Sequence, residues 1–241
     1  MTDGIGILVT GGNGLLGTTL KTFIPKADFV DIGDFDITDF DAVDRWLGKR
    51  HYTSILHCAA FTSPPKVDAD PTAALEVNIA GTVNMVKAAI KHKLKLVYIC
   101  TDYVFRGDKG NYSEDDPVFP VNKYAWSKLG GECAVRMYDN SLIIRTTFGP
   151  KPFPYPKAFV DQWTSRESVD VIAKMIAELL DKNITGTVHV GGKRKTVFDY
   201  AAQLDPSRHI EELKTAEVSF SVPRDTSLNV SLYHLIMEDK D

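Results

Sequence analysis

The sequence predicts an α/β fold: a doubly wound parallel sheet followed by a small, shortened C-terminal lobe. Two observations lead to this prediction. Short apolar runs alternate with longer stretches of helical apolar spacing, and a glycine-rich turn follows the first apolar run. Strands and helices that alternate in this way form βαβ units, in which the strands pair in parallel and the crossovers are right-handed. With 241 residues, 44% of them hydrophobic and 25% charged, the chain can form one domain with an appendage.

The individual elements follow from the periodicity of the apolar residues. Short apolar runs bounded by polar or turn residues predict strands at residues 5–10, 29–32, 54–58, 94–100, 141–146 and 187–190. Apolar residues that recur every three or four positions predict helices at 15–23, 40–47, 71–92, 124–138 and 169–180.

A proline-rich segment, residues 149–156, divides the chain. It contains four prolines in eight residues, and proline is unfavourable in helix interiors and central strands. We therefore expect one domain over residues 1–148 and a small lobe, partly packed on the sheet, over residues 149–241.

Charge and hydropathy argue against two classes of partner. Lys and Arg number 28 against 32 Asp and Glu, a net charge of −4. No basic run is long enough to neutralise a phosphate backbone, so nucleic acid is not expected as a partner. The sequence has neither a membrane-spanning apolar run nor a signal-peptide pattern, so we expect no membrane association and a cytoplasmic protein. The three cysteines, Cys58, Cys100 and Cys133, are expected to be reduced core thiols.

The glycine-rich turn after the first strand fits a Rossmann-type dinucleotide-binding loop. Its glycines are spaced G-x-x-G-x-x-G between a strand and a helix, the context that this fingerprint requires. The first glycine allows a sharp turn, the second lets the backbone approach a pyrophosphate, and the third lets helix and strand pack closely. A glycine turn without a ligand is the alternative. Cofactor contacts are expected from Gly11, Asn13, Gly14, Leu15, Leu16 and Gly17.

An acidic cluster lies about 20 residues beyond the glycines, where a carboxylate would bind a ribose hydroxyl. Residues 31–39 contain four aspartates and no Lys or Arg. The cofactor is therefore expected to be NAD(H) or NADP(H), with NAD(H) slightly favoured because no local cation would meet a 2′-phosphate. Most of these aspartates are expected to belong to a solvated turn or to cap helix 40–47.

A tyrosine and a lysine spaced for one helix face form a candidate catalytic pair. Tyr124 and Lys128 are four residues apart in YAWSK, so both project from the same side of a helix. A tyrosine normally keeps its proton until about pH 10, and we expect Lys128 to lower the pKa of Tyr124 so that the phenol can act in catalysis. Thr101 follows the fourth strand at the carboxyl edge of the sheet, where its hydroxyl could hold a carbonyl oxygen.

With these residues in place, the chain resembles the extended short-chain dehydrogenase/reductase family. The resemblance is closest to the dTDP-4-dehydrorhamnose reductase branch. It is carried by TGGNGLLG at 10–17, DITD at 36–39, HCAAFT at 57–62, Asn78, TDYVF at 101–105, YAWSK at 124–128, FVDQ at 159–162 and PRDTSLN at 223–229.

The resemblance implies specific roles for residues in these motifs. It implies a catalytic site of Thr101, Tyr124 and Lys128, with Asn78 as a helix residue that supports it and counts among the cofactor contacts. Lys128 would also contact the cofactor. Further cofactor contacts would be Asp36 and Ile37 at the adenine and Cys58, Ala59 and Ala60 beside the ribose and phosphates. Substrate contacts would be Thr101, Asp102, Tyr103, Arg145, Gln162 and Trp163.

The residues after Thr101 narrow the implied reaction. Dehydratases related to this branch carry an Asp-Glu pair there, whereas this chain has Asp102-Tyr103. The epimerase/reductases that make fucose have a Cys two residues after the hydroxyl, a place that Tyr103 takes. The resemblance therefore implies an NAD(P)H-dependent reductase of a 4-keto-6-deoxy sugar nucleotide, active in deoxysugar biosynthesis.

The sequence is compatible with several alternatives. Relatives of this branch include a dinucleotide-binding regulatory subunit of methionine adenosyltransferase, and a sugar-nucleotide epimerase is a third reading. Only residues 150–158 separate Gly149 from the FVDQ motif, so the substrate lobe is shorter than is usual in the family. Arg145 either binds a diphosphate or pairs with a structural acid. No metal site is expected, and a homodimer is left open.

Overall fold

The computed structural model describes residues 4, 6–218 and 222–239, which form an α/β fold around a parallel sheet. In chain order the strands are β1 (Ile7–Thr10), β2 (Asp28–Val30), β3 (Ser54–His57), β4 (Lys95–Thr101), β5 (Ser141–Thr146), β6 (Phe148–Gly149), β7 (Lys157–Phe159), β8 (Trp163–Thr164), β9 (Glu167–Ser168), β10 (Gly186–Val190), β11 (Lys195–Thr196) and β12 (Glu211–Leu213).

The central sheet has the strand order β10-β5-β4-β3-β1-β2, and every neighbouring pair is parallel. This confirms the predicted fold class. The chain reverses direction across the sheet between β1 and β3, the kind of switch point at which open α/β sheets bind ligands. Each of the six predicted strands is present, with ends that differ from the prediction by at most two residues. Ile5, which the sequence placed in the first strand, lies outside the described residues.

The helices cover both faces of the sheet. They are α1 (Leu15–Leu20), α2 (Phe40–Leu47), α3 (Pro64–Ala69), α4 (Pro71–Ala74), α5 (Thr82–His92), α6 (Lys123–Val135), α7 (Val169–Leu180), α8 (Val197–Leu204) and α9 (Ser231–Glu238). One core cluster packs α2, α5 and α6 against the sheet, and a second packs α1, α7 and α9 against the opposite face.

The helix predicted over residues 71–92 is interrupted. Its middle, Leu75–Gly81, is a π-helix between α4 and α5. Asn78 lies in this wider segment and is fully buried. A π-helical turn inside an α-helix often marks a functional site, and the apolar spacing of the sequence does not distinguish it from a regular α-helix.

The C-terminal part of the chain contributes to both units of the molecule. α7 and β10 belong to the central sheet and its covering layer, although they follow the proline-rich segment. A separate cluster around Phe153, Tyr200 and Ile210 packs α8 against the β7–β12 pair. The division into residues 1–148 and 149–241 therefore stays a prediction. The separate cluster that contains α8, β7 and β12 is formed by only part of the second range.

The three cysteines are free thiols. Cys100 is buried and Cys58 is partly buried. Cys133 is exposed on α6, so the prediction that it is a core thiol is wrong. Among the helices of the described ranges, none is long and apolar enough to cross a membrane.

Candidate functional site

A large cavity opens at the carboxyl ends of the central strands. Its volume is about 1590 Å³, above the roughly 300–1,000 Å³ that suffices for a drug-sized ligand, so it has room for more than one ligand. It runs from the glycine loop, past the end of β4, to the small cluster around Phe153. Of the predicted site residues, the cavity is lined by Gly11, Asn13, Gly14, Leu15, Leu16, Gly17, Asp36, Ile37, Cys58, Ala59, Ala60, Thr101, Asp102, Tyr103, Tyr124, Lys128 and Gln162.

The glycine loop has the geometry of a cradle for a ligand. Gly11 has φ +71°, a conformation that favours glycine. A Cβ on Gly17 would lie 2.2 Å from the carbonyl oxygen of Gly11, so only glycine allows the first turn of α1 to pack here. A Cβ on Gly14 would meet only that same oxygen, at 3.2 Å, and would otherwise face open space. The loop therefore keeps its backbone exposed toward the cavity at Gly14.

An aspartate at the end of β2 lies next to this loop. The Oδ2 atom of Asp31 accepts a hydrogen bond from the backbone N–H of Asn13 at 2.8 Å, and Asp31 lines the cavity. Among the four aspartates of residues 31–39, this one is fixed against the glycine loop. The sequence identified the acidic cluster but did not single out Asp31, because the selection depends on how β2 and the loop meet.

The three predicted catalytic residues converge on one part of the cavity. Thr101 is the last residue of β4, and Tyr124 and Lys128 occupy successive turns of α6. Asn122 begins this helix, since its side chain accepts a hydrogen bond from the N–H of Ala125 at 2.8 Å. The helix start thereby sets the position of Tyr124 relative to the end of β4.

The electrostatics of the pair differ from the expectation. Burial raises the pKa of Tyr124 above its usual value, and the nearby Thr101 hydroxyl only partly opposes this rise. Burial also lowers the pKa of Lys128 to about 8. The pKa of Tyr124 is therefore raised overall, not lowered as the spacing to Lys128 predicted. Tyr124 keeps its proton at neutral pH, which suits a proton donor.

Lys128 is 4% exposed, and its charge faces an aromatic ring. Its Nζ lies 4.3 Å from the ring centroid of Tyr98, a favourable cation–π distance. Within the part of the chain that the structure describes, no carboxylate lies within 4.0 Å of this Nζ. The ammonium group is therefore available to a ligand in the cavity.

Asn78 supports the site from behind the cavity wall. Its side chain accepts a hydrogen bond from the N–H of Phe61 at 2.7 Å and donates to the carbonyl of Phe61 at 2.9 Å and to Ser127 Oγ at 2.8 Å. These bonds join the loop after β3 to α6. Asn78 does not line the cavity, so the structure places it behind the wall and away from the proposed cofactor contacts. Its role in supporting the catalytic residues stays a prediction.

Two predicted substrate contacts lie away from the cavity. Arg145 is 1% exposed and makes two hydrogen bonds to Glu132, from Nε at 3.1 Å and from Nη2 at 2.7 Å. It therefore pairs with a structural acid, the second of the two alternatives. Trp163 is covered by the guanidinium of Arg194, 3.7 Å from its ring centroid, and also lies outside the cavity lining.

The far end of the cavity carries a cation that the sequence did not indicate. Arg166 lines the cavity near Gln162 and Tyr103, whose side chains are joined by a hydrogen bond of 3.3 Å. The Nε of Arg166 donates to Thr147 Oγ1 at 3.4 Å. Over the described ranges, no carboxylate lies within 4.0 Å of Arg166. A single arginine after a short strand carries no pattern, so only the folded chain reveals it.

His57 is a core residue, and the described residues include no cluster of metal-binding side chains. His57 is fully buried between the hydroxyls of Thr10 and Thr82, and burial lowers the pKa of His57 to about 3, as expected of a core residue. Across residues 4, 6–218 and 222–239, no group of three His, Cys, Asp or Glu side chains is arranged to hold a metal ion.

Comparison with known proteins identifies the family. A model of the RmlD substrate binding domain matches residues 5–224. Methionine adenosyltransferase 2 subunit beta of Mus musculus is 27% identical over 256 aligned positions, which cover 88% of this chain and 76% of that protein. A dTDP-4-dehydrorhamnose reductase of Aggregatibacter actinomycetemcomitans is 31% identical over 179 positions, 70% of this chain and 61% of that protein.

A solved structure shares the whole architecture. The dTDP-4-dehydrorhamnose reductase of Bacillus anthracis, solved in complex with NADP, superposes with a TM-score of 0.86 at 26% identity. The match covers 95% of this chain and 92% of that one. The fold, the glycine loop and the family model agree, and the chain belongs to the RmlD substrate binding domain family.

Proposed function

We propose that the protein is an NAD(P)H-dependent reductase of a 4-keto-6-deoxy sugar nucleotide. One observation carries the proposal: Thr101, Tyr124 and Lys128 meet in a single cavity that also contains the glycine loop. The relatives named as dTDP-4-dehydrorhamnose reductases support the substrate class. A nicotinamide dinucleotide fits the glycine cradle, where the backbone at Gly14 faces open space.

The cofactor-binding residues are proposed from their places along the cavity. Gly11, Gly14 and Gly17 would approach the pyrophosphate, and Asp31 would bind the adenosine ribose, which favours NAD(H) over NADP(H). Asp36, Ile37, Cys58, Ala59 and Ala60 would line the rest of the dinucleotide site. When bound, the nicotinamide supplies the hydride that reduces the ketone.

The protein supplies the proton. Tyr124 would donate it to the keto oxygen, since burial raises the pKa of Tyr124 and keeps the phenol protonated at neutral pH. Lys128 would bind the cofactor ribose and stabilise the phenolate that forms. At the other end, Gln162 and Tyr103 would contact the sugar, and the unpaired guanidinium of Arg166 would bind the diphosphate.

A second candidate function is a dinucleotide-binding regulatory subunit. The specific observation in its favour is the similarity to methionine adenosyltransferase 2 subunit beta over 88% of this chain. A cytoplasmic location and a homodimer are further proposals that either function would accommodate.

A substrate panel separates the two functions. Purified protein is mixed with dTDP-4-keto-6-deoxy sugars and NADH or NADPH, and oxidation is followed by absorbance at 340 nm. Oxidation with at least one sugar, lost in Tyr124→Phe, supports the reductase. NADH binding by fluorescence without oxidation of any panel member would contradict the reductase and favour the regulatory subunit.

A further inference from the structure

A buried carboxylate next to the proposed catalytic residues is held by two threonine hydroxyls. Asp102 is 1% exposed and follows Thr101 directly. Thr101 donates to its Oδ1 at 3.2 Å, and Thr226 donates to its Oδ2 at 2.6 Å. Each carboxylate oxygen therefore already accepts one hydrogen bond from the protein, and the direct substrate contact that the resemblance implied for Asp102 stays a prediction.

Thr226 is fixed in place by the segment around it. Its N–H donates to the carbonyl of Trp163 at 3.2 Å, and the N–H of Asp225 donates to the carbonyl of Gly107 at 3.0 Å. The Asp225 carboxylate also pairs with Arg194 at 2.8 Å. The C-terminal segment that carries Thr226 is thus anchored to two other loops, and the Thr226 hydroxyl reaches Asp102 from a defined direction.

The number of protons limits what the Thr101 hydroxyl can do. A threonine hydroxyl has one proton to donate and two lone pairs. Thr101 Oγ1 already accepts a hydrogen bond from the N–H of Tyr103 at 3.2 Å. When Asp102 is ionised, the Thr101 proton is directed to it, and Thr101 presents only a lone pair to the cavity. In that arrangement Thr101 has no proton with which to hold a keto oxygen.

A neutral Asp102 reverses this arrangement. The carboxylic acid then has a proton of its own to donate to Thr101, and the Thr101 proton is free to turn toward the cavity. Thr101 can then hold the keto oxygen while Tyr124 keeps its own proton for transfer.

We propose that Asp102, held by Thr226, is a positioning residue that sets the direction of the Thr101 hydroxyl, and that ketone reduction requires neutral Asp102. This inference rests on the proposed reductase function, since it needs a ketone as the acceptor. In the reduction the keto carbon would gain the hydride that bound NAD(P)H supplies, and the keto oxygen would gain the proton that Tyr124 loses. Asp102 and Thr101 would change only the direction of their hydrogen bonds.

The surroundings of Asp102 bring its titration close to the working range. Burial raises the pKa of Asp102 to about 6, while the Thr226 hydroxyl, the Arg166 charge and the Thr101 hydroxyl act in the opposite direction. Among the described residues, Tyr103 and Tyr124 are further titratable groups that interact with Asp102. A carboxyl with a pKa in this range loses its proton as the pH rises through it, so the rate of reduction should fall above about pH 6.

The pH profile of three variants tests the proposal. In single-turnover reduction with bound NADH, the wild-type rate should fall by about tenfold per pH unit above the pKa of Asp102. Asp102→Asn imitates the neutral acid, because its amide can donate to Thr101 and accept from Thr226. It should lack the fall that begins near pH 6 and should exceed the wild-type rate at pH 8 by about tenfold or more. A fall due to Lys128, whose pKa is about 8, should be common to both proteins.

Thr226→Val should move the fall to higher pH by about one unit, because it removes a hydrogen bond that favours the ionised carboxylate. Thr226→Ser keeps the hydroxyl and should restore the wild-type profile. A role of Thr226 in stability alone would lower the melting temperature of Thr226→Val without moving the profile. Profiles that are the same in the wild type, Asp102→Asn and Thr226→Val would overturn the proposal.

A titration of the carboxyl itself separates this inference from the proposed function. The ¹³C NMR signal of the Asp102 carboxyl, identified by its loss in Asp102→Asn, should titrate at higher pH in Thr226→Val and in Thr101→Val. If the wild type reduces no ketone but the titration shifts as expected, the proposed function fails and the hydrogen-bond arrangement stands. An unshifted titration in both variants overturns the inference whether or not the protein is a reductase.

Discussion

Two glycines of the same loop should separate folding from cofactor binding. The backbone at Gly14 is extended, with φ −70° and ψ 169°, and a Cβ there would meet only the Gly11 carbonyl oxygen at 3.2 Å. Gly14→Val should therefore fold with a loss of about 1 kcal/mol or less. Its side chain would occupy the space proposed for the pyrophosphate, so NADH affinity should fall by about 100-fold or more, which corresponds to about 2.7 kcal/mol.

Gly17 should behave in the opposite way. A Cβ at this position would lie 2.2 Å from the Gly11 carbonyl oxygen and 2.8 Å from the Cα of Gly12, both backbone atoms that cannot rotate away. Gly17→Ala should cost about 3 kcal/mol of stability, a fall in melting temperature of roughly 6–12 °C for a chain of this size.

Two measurements decide this pair of predictions. Thermal unfolding reports stability, and quenching or enhancement of NADH fluorescence reports affinity. Wild-type NADH affinity in Gly14→Val would refute the position of the cofactor, and a wild-type melting temperature in Gly17→Ala would refute the packing argument.

Three further predictions concern single side chains. The Lys128 ammonium loses its proton as the pH rises through its pKa of about 8. NADH affinity should therefore fall by about tenfold between pH 7 and pH 10. Lys128→Met should bind NADH weakly, with an affinity that does not change over this pH range. Asp31→Asn removes a carboxylate that would repel a 2′-phosphate but keeps an oxygen that can accept the hydrogen bond from the Asn13 N–H. The ratio of NADPH to NADH affinity should therefore rise by about tenfold in fluorescence titrations. An unchanged ratio would contradict the role of Asp31. Arg145→Met leaves Glu132 buried without its main partner. The free energy of unfolding, measured with denaturant, should fall by about 3 kcal/mol, while NADH affinity stays unchanged. A loss of NADH affinity in a stable variant would show that Arg145 takes part in ligand binding.

The fold was predictable because its main elements depend on local patterns. Helix α7 (Val169–Leu180) and strand β5 (Ser141–Thr146) match the predicted ranges, since one is strongly amphipathic and the other is a buried apolar run. The π-helical segment was not predictable, because its apolar spacing resembles that of an α-helix. The glycine loop was predictable because strand, turn and helix are contiguous in the sequence.

The parts of the site that were missed depend on distant pairs. Arg166 belongs to no motif quoted for the resemblance, and the PRDTSLN motif at 223–229 does not indicate that its Thr226 meets Asp102. Both residues reach the cavity or its wall only through the packing of the C-terminal segments. The choice between two roles for Arg145 required knowledge of Glu132, which lies on a different element. The pKa of Tyr124 could not be inferred from the i, i+4 spacing to Lys128, because burial is the largest influence and has no sequence signature.

The most direct test of the proposed mechanism is the rate of a single hydride transfer in Tyr124→Phe. Enzyme saturated with NADH is mixed in a stopped-flow instrument with a dTDP-4-keto-6-deoxy sugar that the wild type reduces, and the absorbance at 340 nm is followed. We expect Tyr124→Phe to bind NADH with near wild-type affinity and to transfer hydride about 10²–10⁴-fold more slowly, because the ring remains and the transferable proton is gone. Transfer at the wild-type rate would place the proton donor elsewhere and contradict the mechanism.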